Sequence, residues 1–500
     1  MQARGAEGDG VIAMLSVALD RNTTEPLVRQ LYMRVRELIL TQRLPAGTRL
    51  PSTRKLSRDL EVSRTVSLDA FGQLAAEGFI HSQQGSGHFV AALPLAPGEA
   101  ESSRQAPTTD AAGTSIYSAS GAPFDPAWQA ADIFPSQVWA RMLGRGWRRH
   151  QEAALERHWA GLPVLREEIA RHLHALRGLA LTPDQIMVTA GNSDILRLIA
   201  RTVAHGGSGE VAAWVEDPGL GTARQILSAE GLRLVPIPVD GQGLMVAEGE
   251  RRAAEARMAL ITPTRQFPLG MPLSLSRRLS LLAWSRRSGA LLVDDDYDGE
   301  VRFSGRPLQS LASLDGSARV LTLGSFSKLT FSGLRLGYAA GPADLISELA
   351  ARRCESYALL PTPIQAGLAE FIATGSFARH LRQLRTRLTR RRRVLHDLLR
   401  RDASDLVEIL PQEAGMHLTV RLADGLARKY GDVAISKLAG ERGLVLLPLS
   451  PQYSSGRGEP GFLLGYAGWD EQQLVAAVTA FVELLRNLSS SREVVTSNLR

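Results

Sequence analysis

One lysine of this chain lies among several groups that could act together chemically. Lys328 ends the run Gly-Ser-Phe-Ser-Lys, and Arg335 follows seven residues later. Before the lysine, Asp295 and Tyr297 come directly after the apolar run 290–293. A lysine amine forms a Schiff base with an aldehyde, a carboxylate keeps a pyridine nitrogen protonated, and hydroxyl groups with an arginine hold a phosphate. The set predicts a site for pyridoxal 5′-phosphate; the alternative is a surface lysine near an ordinary acid at a strand end.

The bulk composition indicates a globular chain of two or three domains. Its 500 residues exceed one typical domain, and shares of 44% hydrophobic and 22% charged residues lie near globular averages. Cys354 is the one cysteine, so no internal disulfide can form, which favours a reducing cytoplasm. We see no signal peptide and no apolar run near the roughly 18 residues of a membrane span, and we expect no metal site. The formal charge of +7 comes from arginine, which suits phosphate-bearing partners.

Much of the positive charge lies in the segment 379–401. Leucine and valine recur there at helical spacing, so the segment predicts an amphipathic helix. Its polar face is either solvated or a subunit contact, or it is a surface that meets DNA or a linker. The arginines of the segment include Arg382, Arg385, Arg387, Arg390, Arg391, Arg392, Arg393, Arg400 and Arg401.

Strand and helix patterns alternate through residues 124–488. Such alternation predicts an α/β domain with a mainly parallel sheet covered on both faces. Residues 93–123 are rich in proline, glycine, serine and threonine, which is typical of a flexible linker. The strands are predicted at 186–189, 211–215, 232–235, 258–262, 290–293 and 320–323, and one of the helices between them at 275–288.

Residues 23–92 predict three helices followed by a small β-hairpin. The first helix covers 26–41, a second begins after 50–51, and Ser63 can cap a third. This order is that of a winged helix-turn-helix, whose third helix enters the major groove of DNA. The alternative is a small helical domain that docks on the rest of the chain. In the first turn of the third helix we expect exposed side chains at Arg64, Thr65 and Ser67.

Three short runs in this unit resemble the GntR family of bacterial regulators. They are Leu-Pro-Ser-Thr-Arg at 50–54, Val-Ser-Arg-Thr-Val at 62–66 and Gly-Ser-Gly at 85–87. The resemblance implies that Arg54 and Arg64 make the principal contacts to double-stranded DNA. The residues implied to line phosphates or bases beside them are Arg49, Ser52, Ser63, Thr65 and Gly87.

The region 124–488 resembles fold-type I aminotransferases. The most specific run is Asp-Asp-Tyr-Asp-Gly-Glu-Val-Arg-Phe at 295–303, supported by Gln-Phe-Pro-Leu-Gly at 266–270 and Ala-Gly-Met-His at 414–417. Together with the N-terminal unit, this region resembles the MocR subfamily of the GntR family. In that subfamily a winged-helix domain is fused to an aminotransferase-like domain that binds pyridoxal phosphate.

The resemblance implies a role for each residue of the cofactor site. Lys328 is the residue of the internal aldimine, Asp295 faces the pyridinium nitrogen, and Tyr297 hydrogen-bonds the ring oxygen beside the aldehyde. Asp294 and Asp296 are interpreted as structural. The residues implied to hold the phosphate are Ser325, Ser327 and Arg335, with the backbone N–H groups of Gly191 and Asn192 at a helix N-terminus. A tight strand-to-helix turn also explains Gly191.

Four positions depart from the family's usual pattern. Ser193 and Asp194 stand where two glutamines are common, Arg265 where histidine is common, and Leu220 where a tyrosine is common. Leu463 stands where aminotransferases place an arginine for the substrate carboxylate. A leucine cannot make bidentate hydrogen bonds to a carboxylate, so the sequence supports cofactor retention better than transamination.

Two functions are therefore in competition. The first is a transcriptional regulator, not an enzyme, that senses a small amine, an amino acid or pyridoxal phosphate itself. The second is an active aminotransferase with an accessory DNA-binding domain. The first is favoured, because an aminotransferase needs no winged helix. The resemblance also implies a homodimer that binds paired DNA half-sites in the bacterial cytoplasm, associated with the nucleoid.

Overall fold

The computed structural model describes most of the chain, and two compact units are each considered by themselves. One unit comprises residues up to Gly113 and the other runs from Thr114 to Arg500. The segment predicted as a linker, 93–123, lies outside the described residues over 93–120. The described residues are 19–21, 23, 25–83, 86–92, 121–152, 156–205, 209–303, 310–314, 319–454, 456 and 458–490.

The N-terminal unit consists of three helices and a two-stranded antiparallel sheet. Leu31, Val35, Leu56, Phe71 and other apolar side chains form its buried core, which explains the helical spacing of these residues. The predicted winged helix-turn-helix is confirmed. Its elements are α1 (Leu27–Leu40), α2 (Thr53–Asp59), α3 (Arg64–Ala76), β1 (Ile80–Gln83) and β2 (Gly87–Val90).

Serine hydroxyls fix both ends of the helix-turn-helix, and one serine departs from expectation. Ser52 accepts a hydrogen bond from the Lys55 N–H at 3.2 Å, and Ser63 accepts one from Val66 at 3.3 Å, so each is an N-cap. The prediction that Ser67 is exposed is wrong, because its hydroxyl is fully buried against Ser57 at 2.9 Å. Ser67 therefore joins α2 to α3 and is not available to DNA.

The large unit is built on an eight-stranded mixed sheet. The strand order is β3-β10-β9-β8-β7-β4-β5-β6, in which β3, β9, β8, β7, β4 and β5 are parallel and β10 is antiparallel to both neighbours. The predicted mainly parallel α/β sheet is confirmed, but β10 was not anticipated. The strands are β3 (Ile186–Thr189), β4 (Ala212–Asp217), β5 (Arg233–Asp240), β6 (Gly243–Leu244), β7 (Met258–Ile261), β8 (Leu291–Asp295), β9 (Val320–Ser325) and β10 (Gly337–Ala340).

Helices cover both faces of this sheet. Along β7, Met258 and Leu260 face one apolar cluster while Ala259 and Ile261 face another, so the strand is apolar at every position. None of the described helices is long and apolar enough to cross a bilayer. The helices up to the second sheet are α4 (Ser136–His150), α5 (Pro163–Arg177), α6 (Asn192–His205), α7 (Gly221–Ala229), α8 (Val246–Ala253), α9 (Leu275–Ser288), α10 (Leu311–Leu314), α11 (Phe326–Leu329), α12 (Ala343–Glu355), α13 (Thr362–Ala373) and α14 (Ser376–Asp402).

A smaller four-stranded antiparallel sheet follows, in the order β11-β12-β14-β13. Phe462 and Leu464 of β14 pack in a core with Phe481 of the last helix. The elements are β11 (Val407–Ile409), β12 (His417–Leu422), α15 (Asp424–Lys429), α16 (Gly431–Gly440), β13 (Leu447–Pro448), β14 (Gly461–Gly465) and α17 (Glu471–Ser490).

Helix α14 is the predicted amphipathic basic helix. Its leucines are buried, and several of its arginines bind parts of the same unit. Arg391 pairs with Asp132, Arg390 pairs with Glu471 at 2.6 Å, and the Nε of Arg385 donates to the Glu300 carbonyl at 2.7 Å. Part of the positive charge is therefore structural; whether the remaining exposed arginines meet DNA or another subunit stays open.

Candidate functional site

The predicted cofactor residues meet at one edge of the large sheet. Strands β3, β8 and β9 end there, because they are parallel, and the antiparallel β10 begins there. Gly337 of β10 pairs with Thr189 on one side and with Ser325 on the other. The edge thus collects the turn into α6, the end of β8 and the turn that carries the lysine, as parallel α/β sheets do at their binding sites.

Asp295 is the last residue of β8 and is almost completely buried. The Asn192 side-chain amide donates to its Oδ1 at 2.6 Å, which links the start of α6 to β8. Burial and the neighbouring carboxylates Asp294 and Asp296 raise the pKa of Asp295 to about 7. Asp296 itself pairs with Arg177, in keeping with a structural role.

Lys328 lies in the single turn of α11. Ser325 caps this turn by accepting a hydrogen bond from the Lys328 N–H at 3.4 Å. Burial lowers the pKa of the Lys328 amine, although the carboxylates of Asp298, Asp125 and Asp295 oppose that shift. A lowered pKa leaves more of the amine uncharged at neutral pH, and the uncharged amine is the nucleophile that attacks an aldehyde.

Tyr297 lies in a buried hydrogen-bond network that the sequence did not reveal. Its hydroxyl accepts from Arg265 Nη1 at 2.6 Å, and the same nitrogen donates to Asp298 Oδ2 at 2.8 Å. Arg265 Nη2 donates to Gln412 Oε1 at 3.1 Å and to His417 Nε2 at 3.0 Å. Because the Tyr297 oxygen accepts from Arg265, its own proton is available to another acceptor.

The predicted phosphate-binding residues surround the turn between α11 and β10. The Ser327 hydroxyl is already used, since it accepts from the Leu336 N–H at 3.2 Å and lies 3.3 Å from the Leu336 carbonyl. Arg335 is exposed in the left-handed region, at φ +48°. Gly191 has φ +97°, and a Cβ there would meet nothing within 4 Å, so the space before α6 is open. Ser327 thus positions the turn that carries Arg335.

The departures from the aminotransferase pattern have structural explanations. Asp194 pairs with Arg353 at 2.7 Å and accepts from the Ala190 N–H at 2.9 Å, so it holds the start of α6 in place. Leu463 is fully buried in an apolar cluster with Phe267 and Leu269. No residue type that could bind a carboxylate stands at position 463.

Arg265 fits only because residue 415 is a glycine. Gly415 has φ +99°, and a Cβ there would lie 2.3 Å from Arg265 Cζ. We expect Gly415→Ala to lower the free energy of unfolding of the large domain by about 2–4 kcal/mol, through backbone strain and the clash. Denaturant unfolding monitored by circular dichroism measures this.

The matched control is Gly425→Ala in α15, where a Cβ would meet nothing within 4 Å. This change should be neutral or slightly stabilising, because alanine is the better helix former. Equal stability of the two variants would show that the packing of Arg265 against Gly415 is wrong.

The predicted DNA-binding residues lie at the helix-turn-helix and at the start of the second strand. Arg54 in α2 and Arg64 and Thr65 in α3 are exposed near the helix N-termini. Arg49 is exposed and pairs with Phe89 of β2 in an isolated bridge. A Cβ on Gly87 would lie 3.7 Å from Arg49 Nε, so the Arg49 guanidinium follows the hairpin. Ser52 and Ser63 keep their hydroxyls on backbone N–H groups as caps.

Comparison with known protein families gives two matches. Residues 27–90 match the family described as bacterial regulatory proteins, gntR family, and residues 131–481 match aminotransferase class I and II. Among solved structures, α-aminoadipate aminotransferase LysN of Thermus thermophilus superposes with a TM-score of 0.66 at 23% identity. The alignment covers 74% of this chain and 93% of LysN and shows the shared fold.

Curated relatives match almost from end to end. The probable rhizopine catabolism regulatory protein MocR of Rhizobium meliloti is 35% identical, over 95% of this chain and 97% of its own length. The pyridoxine biosynthesis regulator PdxR of Corynebacterium glutamicum is 31% identical, over 93% of this chain and 97% of its own. The chain belongs to the MocR-type transcriptional regulators, in which a GntR helix-turn-helix domain precedes an aminotransferase class I and II domain.

Proposed function

We propose that this regulator holds pyridoxal 5′-phosphate at Lys328 and senses a small amine, an amino acid or the cofactor itself. The observation that carries the proposal is the Asn192–Asp295 contact at the sheet edge where the turn with Lys328 also lies. The neighbours that shift the pKa of Asp295 upward are burial and other carboxylates. A protonated pyridine nitrogen would supply the positive charge that such a carboxylate binds best.

Each residue of the site has a task in this proposal. When bound, the cofactor supplies an aldehyde and an electron-withdrawing ring. Lys328 supplies the amine that retains it, and Asp295, oriented by Asn192, holds a proton at the pyridine nitrogen. Tyr297 donates its proton to the ring oxygen, because Arg265 occupies its acceptor side. The phosphate would be held by Ser325, Arg335 and the N–H groups at the start of α6, with Ser327 fixing the turn.

The N-terminal unit would bind double-stranded operator DNA through Arg54 and Arg64. Two such units in a homodimer would read paired half-sites, and operator binding would place the protein with the chromosome in the bacterial cytoplasm. An effector changes DNA affinity only if it binds one arrangement of the domains better than another. The names of the relatives, which refer to rhizopine catabolism and pyridoxine biosynthesis, support both kinds of effector.

We expect little or no steady-state transamination of common α-amino acids. An aminotransferase must bind two carboxylate substrates in turn and position them, and Leu463 offers no bidentate contact. Mixing the cofactor-loaded protein with an amine panel and a keto-acid acceptor should give spectral changes without keto-acid turnover. Repeated turnover on the order of 1 per second or faster would instead establish an active aminotransferase.

A further inference from the structure

The surroundings of Lys328 are unusually rich in carboxylates for a site that would receive an amino acid. Asp298, Asp125 and Asp295 are the negative groups that act most strongly on the Lys328 amine, and all three are almost completely buried. Asp295 has a task toward the pyridine ring in the proposed function. Asp298 and Asp125 have none, so their role is open.

Arg265 is the arginine that acts on Lys328, but its hydrogen-bonding groups are committed. It is only 2% exposed, and its two terminal nitrogens contact Asp298, Tyr297, Gln412 and His417. A carboxylate ligand would have to displace Asp298, a buried partner held at 2.8 Å. Arg265 therefore does not replace the arginine that is absent at position 463.

Asp125 lies at the end of the strand that carries position 463. A Cβ on Gly465 would be 2.5 Å from the Asp125 carbonyl carbon or oxygen, so residue 125 packs directly on the end of β14. Residues 463 and 465 face the same side of that strand, because side chains alternate. A carboxylate thus lies in the neighbourhood where an aminotransferase places its carboxylate-binding arginine.

Both aspartates have one oxygen without a hydrogen-bond partner among the described residues. Asp125 Oδ1 accepts from the Ala127 N–H at 2.8 Å, while Asp125 Oδ2 is buried and unsatisfied. Asp298 Oδ2 accepts from Arg265, while Asp298 Oδ1 is buried and unsatisfied. Buried acceptors in this state are satisfied by donors such as hydroxyl groups, and they repel a second carboxylate.

We propose that the effector is a small amine that bears hydroxyl groups and no carboxylate, its hydroxyls donating to Asp125 Oδ2 and Asp298 Oδ1. The inference rests on the proposed function, because it takes the Lys328 site to be the effector site. A hydroxyl suits Asp298 better than a second ammonium group does, since the charge of Asp298 is already balanced by Arg265.

The test compares three amines of the same carbon skeleton: serinol (2-amino-1,3-propanediol), serine and isopropylamine. Full-length protein is first loaded with pyridoxal phosphate, freed of excess cofactor and checked for visible absorbance. Each amine is then titrated in by isothermal calorimetry. We expect the Kd of serinol to be at least about tenfold lower than those of serine and isopropylamine, the penalty for an unpaired or repelled buried group.

Asp125→Asn removes the negative charge while keeping the shape of the side chain, so the preference for serinol over serine should shrink severalfold. Asp405→Asn, at an exposed ion pair with Arg486, is the control and should keep the preference. Serine binding as tightly as serinol, or no binding of either, overturns the inference and leaves the proposed function standing. Failure to hold pyridoxal phosphate, seen before any amine is added, overturns both.

Discussion

Lys328→Ala will abolish stable capture of pyridoxal phosphate and the visible absorbance that accompanies it. The chain contains four lysines, and Lys328 alone lies at the sheet edge with Asp295. Its lowered pKa keeps part of the amine uncharged at neutral pH, as nucleophilic attack requires. Borohydride reduction of the loaded parent protein, followed by peptide mapping, should place the pyridoxyl group on Lys328.

Lys437→Ala is the matched control, because this lysine lies in α16, outside the candidate site. It should leave the absorbance and the labelled peptide unchanged. A pyridoxyl group found on Lys55, Lys429 or Lys437, or normal colour in Lys328→Ala, would place the cofactor elsewhere.

Arg64→Ala and Arg54→Ala will each remove most of the specific operator binding and leave the cofactor absorbance intact. Both side chains are exposed, and the two units have separate cores. A bidentate contact of arginine to a base is worth about 1–3 kcal/mol, or roughly five- to 150-fold in affinity. In a homodimer each substitution removes two such contacts, so the loss is larger.

Fluorescence anisotropy with an operator duplex at two salt concentrations measures this effect. Arg29→Ala is the control, because Arg29 is an exposed arginine of α1 that pairs with Glu25 and is not a predicted contact. A variant that loses only a phosphate contact binds all sequences more weakly and shows a shallower salt dependence. Parental operator affinity in Arg64→Ala would show that α3 is not the recognition helix.

The order of the strands and helices could be predicted because apolar periodicity depends on neighbours in sequence. Strands such as 186–189 and 258–261 are apolar at every position, as a sheet covered on both faces requires. The strand 337–340 was missed because it is short and follows the turn at Arg335 closely. Its antiparallel direction depends on pairing with two distant strands, which no local pattern encodes.

The site was predictable only where its residues stand in recognisable runs. Asp295, Tyr297 and Lys328 belong to such runs, whereas the Asn192–Asp295 hydrogen bond joins residues far apart in sequence. Arg265 was noted only as a departure; its partners His417 and Asp298 stand in the family runs, which was the available signal. Asp125 had no signal at all. Ser67 was misplaced because a serine in a first helical turn is usually solvated, and only the packing of α2 reveals its partner.

The close fit of Arg265 over Gly415 has a consequence for how such regulators diverge. The two positions are 150 residues apart, yet the guanidinium occupies the volume that a side chain at 415 would need. A methyl group at 415 is therefore disfavoured while arginine stands at 265, and is tolerated better once that arginine is shortened. The pair is expected to show epistasis: Arg265→Ala should partly relieve the defect of Gly415→Ala, so the order in which lineages acquire changes at these positions is constrained.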